Sequence, residues 1–396
     1  PDSWRSCTVA QIPDYGNSVR STAVMEALAQ LPPLVTSWEV EALREQIALA
    51  QAGTAFILQG GDCAETFADC NSAAIVTKLK ILLQMSVAII SGIKLPVVRI
   101  GRIAGQYAKP RSADTEVRDG VSLPSYRGDI INHNAFTADD REPDPELMLR
   151  AYERSALTLN FIRALIDGGF ADLHHPENWD LDWVSHSPLA DEYHRMVQTV
   201  ADGLDFFESL TGKSIDQARR VDFYTAHEGL HLPYEQAQTR FLGHRQKWYD
   251  LTTHFPWIGA RTSQPGSAHI EFFRGVSNPV GVKIGADMTP DWLRSLLHSL
   301  NPDNQAGRLT LIHRFGAARI RSLLPPLIEM VKKEGARVLW VCDPMHGNTE
   351  TASNGLKTRR FENILDELAS AFAVHQDCGT WLGGVHLELT GEHVTE

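Results

Sequence analysis

The sequence has no basic excess: 37 Lys and Arg stand against 49 Asp and Glu, a formal net charge of −12. Nucleic-acid binding needs the opposite sign over a broad surface, so a general nucleic-acid binder is excluded. Cysteine is scarce, with five residues (Cys7, Cys63, Cys70, Cys342, Cys378) at irregular spacing and an odd count. That is no disulfide framework; it fits a reducing compartment, and cytoplasmic residence is expected. Long apolar runs are missing too. The most apolar stretch, 81–98, is interrupted by Gln84, Ser86, Ser91, Gly92, Lys94 and Pro96, and reads as a buried helix followed by a strand rather than a membrane span. No secretory signal pattern opens the chain. GxxxxGK[ST], GxGxxG after a strand and the GxSxG elbow are all absent, which removes the P-loop, dinucleotide-fold and serine-hydrolase readings. Disorder is excluded by a composition of 43% hydrophobic and 22% charged residues.

What the 396 residues do contain is alternation. Short β-branched or apolar runs bounded by Gly and Pro recur at 54–59, 97–101, 221–225, 256–259, 280–284, 309–314, 338–342 and 384–389, and predict eight strands. Helical periodicity is clear over 73–92, 145–168, 290–300, 317–335 and 359–374. Pro290 suits a helix start, whereas Pro325 is expected to kink or break its helix. Strands alternating with helices predict an α/β fold, a (β/α)₈ TIM barrel, with the doubly wound open sheet as the structural alternative. Residues 1–52 form an N-terminal extension. The catalytic barrel would span 53–396, with an accessory helical insertion at about 148–220 between strands 2 and 3, far longer than a crossover needs. Bulky apolar residues of these accessory parts (Trp4, Trp38, Trp179, Trp183, Phe206, Phe207) read equally as interfaces or as local packing.

Each expected strand runs into residues with chemical capability. Cations are prominent: Arg102, Lys109, Arg111, Arg261, Lys283 and Arg314 offer forked guanidinium and mobile ammonium donors to phosphate and carboxylate oxygens. The plain alternative is that each pairs with a nearby Asp or Glu. Gathered at one barrel mouth they would favour a phosphorylated small molecule. Cys63, His346 and Glu388 offer thiolate, imidazole and carboxylate from three strand ends, a donor set suited to Mn²⁺, Co²⁺, Fe²⁺ or Zn²⁺. Outside a barrel, Cys63 reads as a small buried hydrophobe. His227-Glu228-Gly229-Leu230-His231 is a literal HExxH, the zinc-peptidase pattern, which needs both His on one helix face. A strand-like run leads into it, Gly229 lies inside it and Pro233 follows, so the context is wrong for a helix.

With these residues assembled, the sequence resembles the type II 3-deoxy-D-arabino-heptulosonate 7-phosphate (DAHP) synthases from about residue 30 onward. The resemblance rests on LQGGDCAETF (58–67), RIGRIAGQYAKPRS (99–112), LPSYRGDIIN (123–132), WIGARTSQ (257–264), NPVGVKIG (278–285), CDPMHGNT (342–349) and GGVHLELTGEHVTE (383–396). It implies a TIM barrel that condenses phosphoenolpyruvate with erythrose 4-phosphate, the first step of the shikimate pathway, with a divalent metal, Mn²⁺ or Co²⁺ first. Cys63, His346 and Glu388 match its metal ligands. A fourth, an aspartate downstream of the last block, would fall beyond Glu396. Arg102, Lys109, Arg261, Lys283 and Arg314 match the phosphoenolpyruvate site, and Arg111, Ser112 and Glu228 fall where the aldose phosphate is handled. Lys283, Arg314 and Glu228 are the expected catalytic groups. Ala260 departs from the pattern, which leads to an expected acidic residue before Arg261. The resemblance further implies a homo-oligomer, inhibition by aromatic amino acids and pairing with a chorismate mutase. Two other readings stand beside it: a zinc metallopeptidase through His227, Glu228 and His231, and a non-catalytic regulatory barrel.

Overall fold

A computed structural model describes residues 3–16, 18–172, 179, 186–211, 222–352 and 357–391. Parts of the insertion read at 148–220, Trp183, the side chain of Phe207, and residues 392–396 of the last sequence block lie outside them. Eight parallel strands close into a barrel: β1 (Phe56–Gly61), β2 (Val97–Arg102), β3 (Phe223–Glu228), β4 (Phe255–Ile258), β5 (Val280–Gly285), β6 (Leu309–Arg314), β7 (Leu339–Cys342) and β8 (Leu382–Glu388). Neighbours in space are neighbours in sequence, and β8 returns to pair with β1. The chain is therefore a TIM barrel, and the open-sheet alternative is overturned by the closing β1–β8 ladder.

Side chains alternate along each strand, so one face fills the barrel and the other meets the helices. On β5, Val280, Val282 and Ile284 pack outward in one large core cluster, while Lys283 lines the mouth cavity. On β6, Leu309 and Leu311 face outward, whereas Ile312 joins Ile57, Ile100 and Val341 in the interior cluster. The same interior cluster takes in Leu43, Ile47 and Ala50 of helix α1 (Ser37–Gln51), which thereby plugs the N-terminal end of the barrel. Thr36 starts α1 with a capping box closed by Glu39, an arrangement worth about 1 kcal/mol. Closing one end in this way leaves the other, where the strands finish, as the open mouth.

Helix α2 (Ser72–Ile93) is long and apolar enough to cross a membrane by length and composition, yet it sends Leu82 into the core beside Phe56, Leu58 and Val97. Helix α3 (Ile320–Lys333) corrects an expectation. Pro325 and Pro326 both lie inside it without breaking it. They fall in its first half, and burial of Leu324, Leu327, Ile328 and Val331 holds the helix onto the barrel. Each such side chain contributes about 1.5–3 kcal/mol of burial, enough to offset the lost N–H groups. Of the accessory aromatics, Trp4 and Trp179 are buried, whereas Trp38 and Phe206 remain 67% and 69% exposed.

Candidate active site

Strand ends gather the chemistry at the mouth. A cavity of about 70 Å³ is lined by Arg102, Glu228, Arg261, Lys283, Arg314 and His346, together with Trp257, Gly259, Ala260, Pro110 and His386. Arg102 leaves the end of β2 and is buried, donating to His386 Nε2 at 3.0 Å and to the Cys63 carbonyl at 3.2 Å. Its guanidinium also stands 5.2 Å from the Trp257 ring centre. The turn after Arg102 is held open by Glu65, whose carboxylate accepts from the backbone N–H groups of Ala104, Gly105 and Gln106. Ala104 sits there at φ 63°, a conformation costly for a non-glycine residue that these bonds pin. Gln106 in turn accepts from the Glu228 backbone N–H at 2.8 Å, so the first three strand ends are tied together. A Cβ at Gly259 would stand 1.9 Å from Glu228 Oε1, so any side chain just past β4 would displace this carboxylate from its present position.

His346 and Glu388 meet, with His346 Nε2 2.8 Å from Glu388 Oε1, and Cys63 lies close enough for its thiol to feel the Glu388 charge. Asp343 Oδ2 holds His346 Nδ1 at 2.7 Å, which turns Nε2 toward the other two donors. A carboxylate on the far nitrogen of a metal-ligating histidine is a common orienting device, and His346 and Glu388, with the Cys63 thiol near them, offer the donor chemistry of a divalent-cation site. The same Asp343 oxygen takes Lys283 Nζ, and the carboxylate is fully buried. Arg359 closes over Glu388 Oε2 at 3.0 Å. A larger cavity of about 740 Å³ opens on the outer side of Cys63 and Glu388, past Asp62, Lys78 and Met345.

The electrostatics follow from burial against this pairing. Burial pushes the Cys63 thiol up to about 11, with the Glu388 charge adding to it. Burial opposes ionisation of Glu388, yet His346, Arg102 and Arg359 hold its carboxyl well below the usual range. Burial works against the His346 imidazolium, but Asp343 outweighs it and raises the imidazole. Burial raises the Glu228 carboxyl, against the pull of Lys283, Arg102 and Arg261. Lys283 is brought down to about 8 by burial, which Asp343 only partly counters. His386 is driven well below its ordinary value by burial and by the Lys283 and Arg102 charges, so it is neutral.

The cations are not all balanced by acids. Arg102 reaches Glu388 at 3.5 Å and Lys283 pairs with Asp343, but Arg261 is held by Ser112 Oγ at 2.9 Å and Arg314 by the His346 carbonyl at 2.9 Å. Among the described residues neither of those two forms an ion pair, which leaves both guanidinium groups available to an incoming anion. Lys109, Arg111 and Ser112 do not line the 70 Å³ cavity. Arg111 is turned to Glu116 at 2.6 Å, on the hairpin formed by Thr115–Arg118 and Val121–Pro124. The HExxH residues straddle the end of β3 and the start of the Leu232–Ala237 helix. His227 Nε2 bonds Glu235 at 2.9 Å, while His231 Nε2 bonds the Tyr15 hydroxyl at 2.6 Å. The two imidazoles serve separate partners and share no helix face. Asp343 and His386 stand in the sequence among the polar groups that follow strands 7 and 8, though without a role, whereas Gln106 and Arg359 carry no such signal.

Comparison with known proteins covers the whole chain. The model of the class-II DAHP synthetase family matches residues 1–396. A phospho-2-dehydro-3-deoxyheptonate aldolase of Neurospora crassa is 44% identical over 412 residues, taking in 100% of this chain and 85% of that protein. One from Streptomyces coelicolor is 45% identical over 395 residues, taking in 100% of this chain and 88% of that protein. Among solved structures, the phospho-2-dehydro-3-deoxyheptonate aldolase of Francisella tularensis aligns over 92% of this chain and 83% of its own at 16% identity, with a TM-score of 0.46.

Proposed function

The chain belongs to the class-II DAHP synthetase family, and from that premise we propose that it condenses phosphoenolpyruvate with erythrose 4-phosphate, giving DAHP and phosphate with uptake of one water. The observation that carries this reading is the mouth itself: Arg102, Arg261, Lys283 and Arg314 around one small cavity whose rim is His346. A divalent ion held by Cys63, His346 and Glu388 would supply Lewis-acid polarisation of the aldehyde. Arg102, Lys283 and Arg314 bind the carboxylate and phosphate of phosphoenolpyruvate and hold its C3 toward the aldehyde carbon. As C3 attacks, positive charge develops at C2, where water adds before phosphate leaves. Glu228, with its raised carboxyl, is the group placed to hold or release a proton beside C2. Trp257 and His386 wall the cavity against bulk water, so positioning and fixed charge supply much of the rate. Lys109 and Arg261 complete the phosphoenolpyruvate side, and Arg111 and Ser112 stand on the aldose-phosphate side.

The deciding assay mixes purified protein, Mn²⁺ or Co²⁺ and both substrates, and follows loss of phosphoenolpyruvate. Loss that requires erythrose 4-phosphate supports the synthase; none would leave the non-catalytic barrel. His231→Ala should retain the metal, whereas a peptidase would lose it. Asp343→Asn keeps the shape of the His346 support but removes its charge. It is expected to weaken metal affinity about 10–100-fold, read by competition with a chelating dye. The pH dependence has a definite sign. Lys283 is cationic below about pH 8 and neutral above it, so the KM for phosphoenolpyruvate should climb as pH passes that value while the KM for the aldose changes less. Self-assembly, aromatic amino-acid inhibition and a chorismate mutase partner belong to the same reading, with exposed Trp38 and Phe206 as surfaces available for contact.

A further inference from the structure

Behind the mouth, on the outer face of the barrel, lies a second set of metal-ligating side chains. His313 of β6 and Cys342 of β7 are direct partners across the parallel ladder, so both project the same way. They face helix α4 (Phe361–Asp377), which brings Glu367 against them. One ligand atom from each of His313, Cys342 and Glu367 lies within 4.8 Å of the other two, and all three residues are fully buried. His375, two turns along α4, has its ring 5.8 Å from that of His313.

Two further observations point to a ligand. Neither ring nitrogen of His313 has a hydrogen-bond partner, although the residue is 0% exposed. Leaving such groups unsatisfied costs about 1–3 kcal/mol, a penalty that a bound ion or an ordered water would relieve. His375 places Nδ1 2.8 Å from the Thr380 hydroxyl and leaves Nε2 unpartnered. That is the arrangement of a ligating histidine, with one nitrogen fixed by an oxygen and the other lone pair free. We propose that His313, Cys342, Glu367 and His375 form a second, structural site for a divalent transition ion of the zinc class, distinct from the one at the mouth.

The charge balances. Two neutral imidazoles, one thiolate and one carboxylate bring −2, which a divalent ion cancels inside a region that could not hold either anion alone. Metal–ligand bonds of about 2.0–2.3 Å set donor atoms about 3.3–3.8 Å apart in a tetrahedron, so side-chain rotation closes the remaining gap. Binding forms the four metal–ligand bonds, breaks only the Cys342 S–H bond with its proton passing to solvent, and changes no oxidation state. Glu367 also accepts from the backbone N–H groups of Phe315 and Gly316, each at 2.9 Å, and from Asn348 at 2.7 Å. An ion here would therefore pin α4 to β6 and β7 directly behind Arg314 and Asp343.

The test titrates Co²⁺ into chelator-treated full chain and reads the thiolate-to-cobalt charge-transfer band, the d–d bands and bound cobalt per chain. In the Cys63→Ala protein, one cobalt with a thiolate band should remain. Adding His313→Ala should remove both. A folded Cys63→Ala protein without a thiolate band, as when only ordered water fills the site, overturns the proposal; so does a band that survives His313→Ala. Should His313→Ala fail to fold, His375→Gln in the same background should weaken Co²⁺ binding about tenfold or more, and unchanged binding is the overturning result. The outcome is independent of the mouth site: if Cys63 binds no metal, Cys63→Ala matches wild type and the His313 and His375 variants still decide.

Discussion

Cys63→Ala is expected to lower turnover on the order of 1000-fold or more, because Lewis-acid polarisation is worth several kcal/mol of barrier. Cys63 lies beside Glu388, which pairs with His346 at 2.8 Å, and in the proposed mechanism its loss removes the thiolate from the metal's donors. The thiol lies up at about 11, and only a cation makes it a thiolate near neutrality. Metal uptake must therefore release a proton, and affinity should rise as pH rises toward that value, by as much as about tenfold per unit. Cys63→Ser keeps the volume and a hydroxyl but is a poor ligand, and should fall nearly as far. The measurements are steady-state loss of phosphoenolpyruvate with both substrates present, and metal content after dialysis. Turnover within a few-fold of wild type in a Cys63→Ala protein would remove the thiolate from the mechanism.

Lys283→Met should cost about 10²–10³ in kcat, the usual loss when one fixed charge at the reacting centre is deleted. The side chain is buried at the mouth, and its ammonium is shared between Asp343 and the cavity. Methionine preserves the stem and removes the charge, which leaves Asp343 with His346 as its remaining close partner. Breaking a buried pair on one side costs up to about 3–5 kcal/mol, so this variant should also unfold at lower denaturant. Lys283→Arg retains charge but adds a planar fork to a cavity of about 70 Å³, and should recover stability better than activity. A split of that kind separates the catalytic role of the ammonium from its role in neutralising Asp343. Equal recovery of both by arginine would assign Lys283 a structural role alone.

The barrel was legible because each strand is a short apolar run closed by Gly or Pro, and all eight expected runs overlap observed strands. Boundaries shifted by a few residues where a polar residue ends the run but still pairs, as with His227 and Glu228 on β3. The proline pair of α3 misled because local propensity was weighed without the core that overrides it. In the site, Arg102, Lys283, Arg314, His346 and Glu388 were legible from their places at strand ends. Arg111 has the same local setting, yet Glu116 on a hairpin draws it aside, and no spacing rule encodes that competition. Arg359 and His386 matter through partners dozens or hundreds of positions away, which a single sequence does not announce. Asp343 is different: a carboxylate three residues before His346 is readable, given the question of what holds the ring.

The N-terminal segment has one more consequence. Gln11 pairs its side-chain amide with the backbone of Arg111, donating to the carbonyl at 3.0 Å and accepting from the N–H at 2.8 Å. The same oxygen takes Arg127 at 3.3 Å, and Thr8 bridges to Ser267 nearby. A single glutamine thus acts as a splint on the Lys109–Ser112 loop, imitating a neighbouring strand that the barrel does not provide. The first dozen residues touch that loop through Gln11 while Trp4 anchors them in the core outside the barrel strands. Replacing Gln11 by alanine would therefore free the Arg111 backbone from its only side-chain partner on this segment among the described residues, without touching the strands that carry the site.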